Sequence, residues 1–248
     1  MKNVFKKLGA TLMCAGIVTA MVFALSACDK DKEQTKDLSV SETATEFVQV
    51  FNNLSTSREY TLDITKNIDG TVTRSELKLR TKGIDNELYG VITQGESRAE
   101  IFVGWPRIFE DTDLHSDPYV LQKEGGAADW DGRKITSRDI PNILKQNTDS
   151  RLVIAELQEY KDAIEQDINI SAYNLKGKVT TLKDQFKSMV ITMKGQDSGV
   201  DFDISLTIVE VNGQKNIQTA SIKKTQNGST RIIDATYSYS VSFETPEF

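Results

Sequence analysis

The chain has 248 residues, with 30 basic and 36 acidic side chains, one histidine and two cysteines. A formal charge of -6 argues against a nucleic-acid partner and against electrostatic docking on anionic lipid as the main mode of attachment. One histidine leaves little room for a histidine-based catalytic constellation, and two cysteines leave none for a disulfide framework.

The first segment reads as an export signal. Lys2, Lys6 and Lys7 form a positive start with no acid, and Leu8 to Ala24 is an apolar run broken only by small residues and threonines. It ends on Leu25, Ser26, Ala27 and Cys28, an aliphatic residue and two small residues before a cysteine. In this respect the chain resembles bacterial lipoproteins processed by signal peptidase II. The resemblance implies a diacylglyceryl thioether on Cys28 and cleavage just before it. Two acyl chains hold a protein stably to a bilayer, where one does so only marginally. The expected location is the extracytoplasmic side of a cell membrane, at the cell surface or in the periplasm. In the enteric sorting scheme of that family, an aspartate at the position of Asp29 disfavours transfer to an outer membrane. Removal of residues 1–27 leaves 27 basic against 36 acidic residues, a formal charge of -9, and Cys28 as the sole cysteine.

Residues 28–38 alternate charges with almost no apolar content and read as a solvated tether. An exported β-rich domain is expected over 39–248, built as two helix-plus-meander halves, 39–137 and 138–248. Ser39 and Glu42 have the spacing of a capping box, and Phe47, Val50, Phe51 and Leu54 follow on one helical face.

From Tyr60 the period becomes two. Tyr60, Leu62 and Ile64 alternate with polar residues, Asp69-Gly70 supplies a hairpin turn, and Leu77 and Leu79 continue the alternation. Leu88 to Thr93 and Ala99 to Val103 read as further strands around a polar loop, Gln94 to Arg98. The stretch from Trp105 to Lys134 breaks the pattern and predicts a long loop or a few short edge strands. Ile140-Pro141 opens a short helix through Gln146. Leu152 to Tyr160 fits strand or helix, a helix is expected near 161–166, Ile168 to Thr180 looks extended, and Leu182 to Met189 suggests a short helix.

Val190 to Met193, Val200 to Val211, Ile217 to Lys224 and Arg231 to Phe243 are strands, jointed by Asn212-Gly213 and Asn227-Gly228. In the second of these, Phe202, Ile204, Leu206 and Ile208 face one way and Asp201, Asp203, Ser205 and Thr207 the other. Strands of about 12 residues with one apolar face need a cover. The expected fold class is therefore α+β, mainly antiparallel β, a long-stranded curved sheet covered by a few helices.

That layout is similar to the half-barrel of LolA-type and LppX-type lipid carriers. The likeness implies a hydrophobic ligand in a cavity lined by Phe47, Phe51, Tyr60, Leu62, Leu77, Phe202, Ile204, Tyr237 and Tyr239. The same residues would also fill a closed, dry core, which an apolar inward face favours because any packed sheet shows one. An alternative function is a surface module that binds a protein or glycan through the loop from Trp105 to Trp130. Asp111, Asp113, His115 and Asp117 alternate, yet they complete neither a calcium loop nor a zinc set, so no metal and no cofactor is expected. A hydrolytic enzyme is the third reading: a nucleophile would have to pair with His115, and no nucleophile-elbow sequence is present.

Overall fold

In the computed structural model, residues 32–82, 85–106, 118–125, 127, 129–136, 138–147, 149–167, 170–183 and 185–246 are described. Helix α1 (Val40–Thr56) begins at Ser39, whose side chain accepts from the Glu42 amide while the Glu42 carboxylate accepts from the Ser39 amide, the reciprocal cap that the spacing predicts. It ends without a glycine. Its stripe of Thr43, Phe47, Val50, Phe51 and Leu54 is buried.

A first meander follows: β2 (Tyr60–Ile68), β3 (Thr71–Lys82), β4 (Asp85–Gln94), β5 (Ser97–Pro106), β6 (Tyr119–Glu124) and β7 (Asp131–Lys134). Two helices come next, α2 (Ile140–Asn147) and α3 (Leu152–Glu165), then a 3-10 turn over Ile170–Tyr173. A second meander closes the chain with β8 (Lys176–Leu182), β9 (Gln185–Asp197), β10 (Val200–Val211), β11 (Gln214–Gln226) and β12 (Ser229–Ser238). With β1 (Glu33–Leu38) these form one open, curved, antiparallel sheet of twelve strands in the order β1-β8-β9-β10-β11-β12-β2-β3-β4-β5-β6-β7. The fold class is the expected one. The two halves share a single sheet, joined where β12 pairs β2 from Arg231↔Ile68 to Ser238↔Thr61.

The turns come where the sequence places them. Asp69 and Gly70 have φ of 49° and 91°, and Asn212-Gly213 and Asn227-Gly228 are likewise positive at both residues, as two-residue hairpins require. The inner face of the sheet carries Leu62, Ile64, Met189, Ile191, Met193, Ile204, Leu206, Ile208, Ile222 and Ile233, buried against α1 and α3. A smaller cluster, Ile101, Val103, Val120 and Ile143, lies under α2. Ion pairs pin α3 down: Glu156, nearly buried, meets Lys224 at 3.0 Å and Arg231 at 2.7 Å.

Several segments differ from expectation. Glu33–Leu38, placed by composition in the solvated tether, is an edge strand paired with β8 from Glu33↔Leu182 to Leu38↔Gly177; its side chains are mostly exposed, so a backbone ladder holds it. Residues 152–165 are one continuous helix, because Val153, Leu157, Tyr160 and Ile164 recur at helical spacing and all four are buried. Of the stretch expected to be extended over 168–180, the described part begins with the 3-10 turn at Ile170 and is extended from Lys176. The helix expected over 182–189 is instead the end of β8, a turn at Lys183 (φ 52°) and the start of β9, since Met189, Ile191 and Met193 alternate into the core. The loop expected over Gln94 to Arg98 shrinks to two residues, Gly95 and Glu96. The strand expected to reach Phe243 stops at Ser238, and residues 239–246 continue without regular structure, Phe243 packing on Tyr89 and Phe102 of the outer face.

Candidate functional site

Leu25, Ser26, Ala27 and Cys28 lie outside the described residues, as do Asp111, Asp113, His115 and Asp117. Among the described residues no group of three metal-ligating side chains comes together. No described helix is long and apolar enough to cross a membrane.

The nine residues assigned to a ligand cavity do share one place, and it is filled. Phe47, Phe51, Tyr60, Leu62, Leu77, Phe202, Ile204 and Tyr237 are all buried in the main core, with Tyr239 half-buried at its margin. The helices supply the occupants. Tyr160 of α3 lies 5.0 Å, centroid to centroid, from Phe202, and Tyr173 lies 5.6 Å from it. Tyr60 donates to the Ser150 carbonyl at 3.2 Å and Tyr239 to the Ile217 carbonyl at 2.7 Å, whereas the buried Tyr237 hydroxyl has no partner among the described residues. Burial pushes Tyr60 up to about 12 and raises Tyr237 and Tyr239 further, because a phenolate there would lose its hydration.

Trp105 and Trp130 are placed apart in role. Trp105 packs against the small cluster under α2, with Ile135 and Leu144 beside it. Trp130 is half-buried, with the Lys123 ammonium 6.0 Å from its ring centroid. Trp105 also borders a cleft of about 270 Å³ with Lys82, Asp85, Glu87, Gly104, Tyr119 and Thr245. Asp85 Oδ1 is buried there with no hydrogen-bond partner among the described residues, while Glu87 is held by Arg80 at 2.6 Å and by Thr245 at 3.0 Å. Desolvation, then Glu87 and Asp85, raise the Tyr119 pKa.

Sequence reasoning missed an open apolar recess. Val40, Ala44 and Val48, one helical turn apart, flank the buried stripe of α1 and with Ile164 line a groove of about 620 Å³ between α1 and the end of α3. Ser41, Thr45, Glu165 and Asp167 form its rim. A second recess of about 560 Å³ shares Val40 and runs past Leu38, Leu175 and Gly177. Val40 is the most exposed of the large apolar side chains described, at 51%. The Val40-Ala44-Val48 spacing is visible in the sequence as an apolar face wider than one partner element needs. These volumes fall in the range of small-molecule pockets, about 300–1,000 Å³.

Compared with known protein families and with curated proteins, the chain matches none.

Proposed function

We propose that this chain is a lipid-anchored protein of a bacterial cell envelope, held through Cys28, whose β-rich body is a non-catalytic binding module for a hydrophobic ligand. The anchor rests on the coincidence of a basic start, an apolar run and the Leu25-Ser26-Ala27-Cys28 lipobox. The binding site is the groove between α1 and α3; the core beneath the sheet is already packed with the protein's own side chains. The observation that carries this reading is the apolar lining of Val40, Ala44 and Val48, with the buried Ile164 at its base, open among the described residues along about 620 Å³.

Two measurements test it. Cys28→Ala should abolish metabolic labelling with palmitate and leave a larger, unprocessed species; labelling that persists in the variant refutes the anchor. The full chain should bind an apolar fluorescent probe such as N-phenylnaphthylamine, and Ala44→Trp, which fills the groove, should remove that binding without lowering the melting temperature. Unchanged probe binding in Ala44→Trp refutes the groove.

A second reading, a surface module for a protein or glycan, is favoured by the cleft at Trp105 and Tyr119 with its Asp85 oxygen unpartnered among the described residues. It predicts that Asp85→Asn, in the wall of that cleft, abolishes capture of that partner.

A further inference from the structure

Segments distant in sequence meet past the C-terminal end of α1. Arg58 and Glu59 lie between that helix and β2, Asn212 and Gln214 belong to the β10–β11 hairpin, and Tyr239 comes just after the end of β12. Together they border a recess of about 380 Å³. It shares no lining residue with the cleft at Trp105 or with the groove that starts at Val40, at the other end of α1.

The frame of this recess is fixed and its rim is free. Asn53 of α1 donates to the Lys215 carbonyl at 2.7 Å, Asn216 to the Gln214 carbonyl at 2.9 Å, and the Tyr239 hydroxyl to the Ile217 carbonyl at 2.7 Å. The Tyr239 ring stacks on Tyr237, centroids 6.5 Å apart at 17°. The exposed side chains of Arg58, Glu59, Asn212 and Gln214, by contrast, make no hydrogen bond or ion pair among the described residues. Hydrogen-bonding groups carried on a rigid support bind with little ordering cost.

The lining selects a class of ligand. Val211 is its one aliphatic side chain among the described residues, so an apolar tail finds no wall there. Arg58 and Glu59 cancel each other's charge, so neither an anion nor a cation is favoured. A guanidinium, a carboxylate and two carboxamides each present paired donors or acceptors, which match adjacent hydroxyl groups two at a time. Tyr239 adds the flat, amphipathic surface on which the C–H face of a sugar ring rests. A peptide would need a free sheet edge or an apolar groove. The strands that end here, β11, β12, β2 and β3, are all interior to the sheet.

The geometry points to a carbohydrate site: the recess takes one neutral sugar residue, with adjacent hydroxyls held by Glu59, Arg58, Asn212 and Gln214 and the ring laid beside Tyr239. It depends neither on the anchor at Cys28 nor on the apolar ligand of the α1–α3 groove.

Saturation-transfer NMR tests it on the full chain in a sugar-free zwitterionic detergent, with the methyl glycosides of glucose, galactose, mannose and N-acetylglucosamine as probes. At least one should receive saturation. The double variant Glu59→Ala, Gln214→Ala should bind that sugar about tenfold more weakly, the factor for losing a hydrogen bond to a charged group, at an unchanged melting temperature. Ala44→Trp, which fills the groove, should bind it as the parent does. No saturation of any of the four sugars, or binding that survives the double variant, overturns the site. Loss of sugar binding in Ala44→Trp instead puts the sugar in the groove and overturns it too. A neutral Gly-Ser peptide that binds where the sugars do not overturns the choice of ligand.

Discussion

Tyr60 and Tyr237 meet edge to face, ring centroids 5.5 Å apart at an interplanar angle of 72°, on the seam where β12 joins the two meanders through β2. Their hydroxyls have opposite fates. Tyr60 reaches the Ser150 carbonyl ahead of α3, and Tyr237 reaches no partner among the described residues. A buried hydroxyl without a partner costs about 1–3 kcal/mol, whereas a satisfied one contributes about 1 kcal/mol. Tyr237→Phe should therefore leave stability unchanged or raise it, and Tyr60→Phe should lower it by about 1 kcal/mol. Urea unfolding of the two variants decides this, and a Tyr237→Phe loss as large as that of Tyr60→Phe contradicts the assignment.

Alkaline pH should unfold the protein cooperatively. All seven tyrosines have raised pKa values, with Tyr60 and Tyr89 pushed up to about 12 and burial the leading cause in each case. Free tyrosine ionises near about 10. Above that pH the unfolded chain has released protons that the folded chain retains, so stability is full below about 10 and falls as pH rises towards 12. Phenolate absorbance near 295 nm should stay low until the fold is lost, then rise in one step together with the loss of circular dichroism. A gradual rise beginning near pH 10 in folded protein would show that the rings are hydrated.

How far the fold was legible depended on which forces act locally. The Asp69-Gly70, Asn212-Gly213 and Asn227-Gly228 turns and the Phe202-Ile204-Leu206-Ile208 alternation are local signals, and each gave the right strand or joint. Glu33–Leu38 carries no side-chain pattern because its partner is the backbone of β8. Gln185 to Lys187 is compatible with a helix on its own, yet the ladder with β8 decides its conformation. Over 152–165 the alternation of Val153, Ala155 and Leu157 competes with the helical recurrence of Val153, Leu157, Tyr160 and Ile164, and only packing on the sheet selects between them. Of the nine aromatic and aliphatic residues assigned to a cavity, eight lie in one core cluster and Tyr239 packs against it. Whether space remained among them depended on Tyr160 and Tyr173, which arrive from elements distant in sequence.

The C-terminal tail should be a stabilising strap. The Arg80 guanidinium lies 3.9 Å from the Phe243 ring centroid and bonds the Phe243 carbonyl, the Glu87 carboxylate and the Thr245 hydroxyl. Phe243 in turn covers Tyr89 and Phe102 on the outer face. Glu87 is only 8% exposed, so Arg80→Met leaves a buried carboxylate without its main partner, at a cost of about 3–5 kcal/mol. Phe243→Ala removes ring contacts and should cost less, about 1–2 kcal/mol. Chemical denaturation of both variants checks the order. Equal, small effects would mean that the tail rests on the sheet without bracing it.

Gly195 should tolerate no side chain. On β9 it lies opposite Phe202, under the 3-10 turn of Ile170–Tyr173, and a Cβ added there would run into the carbonyl oxygen of Ala172 and come within 2.9 Å of the Phe202 ring. Neither obstacle yields easily: one is backbone, and the other is wedged against Tyr160 and Tyr173. Gly195→Ala must lift the turn from the strand and loosen that aromatic trio, an overpacking expected to cost about 2–3 kcal/mol. Gly70→Ala provides the control, because its added methyl meets open space and only the positive φ of 91° is strained, for about 1 kcal/mol. If urea midpoints show Gly195→Ala to be no worse than Gly70→Ala, the turn does not press on β9 as described.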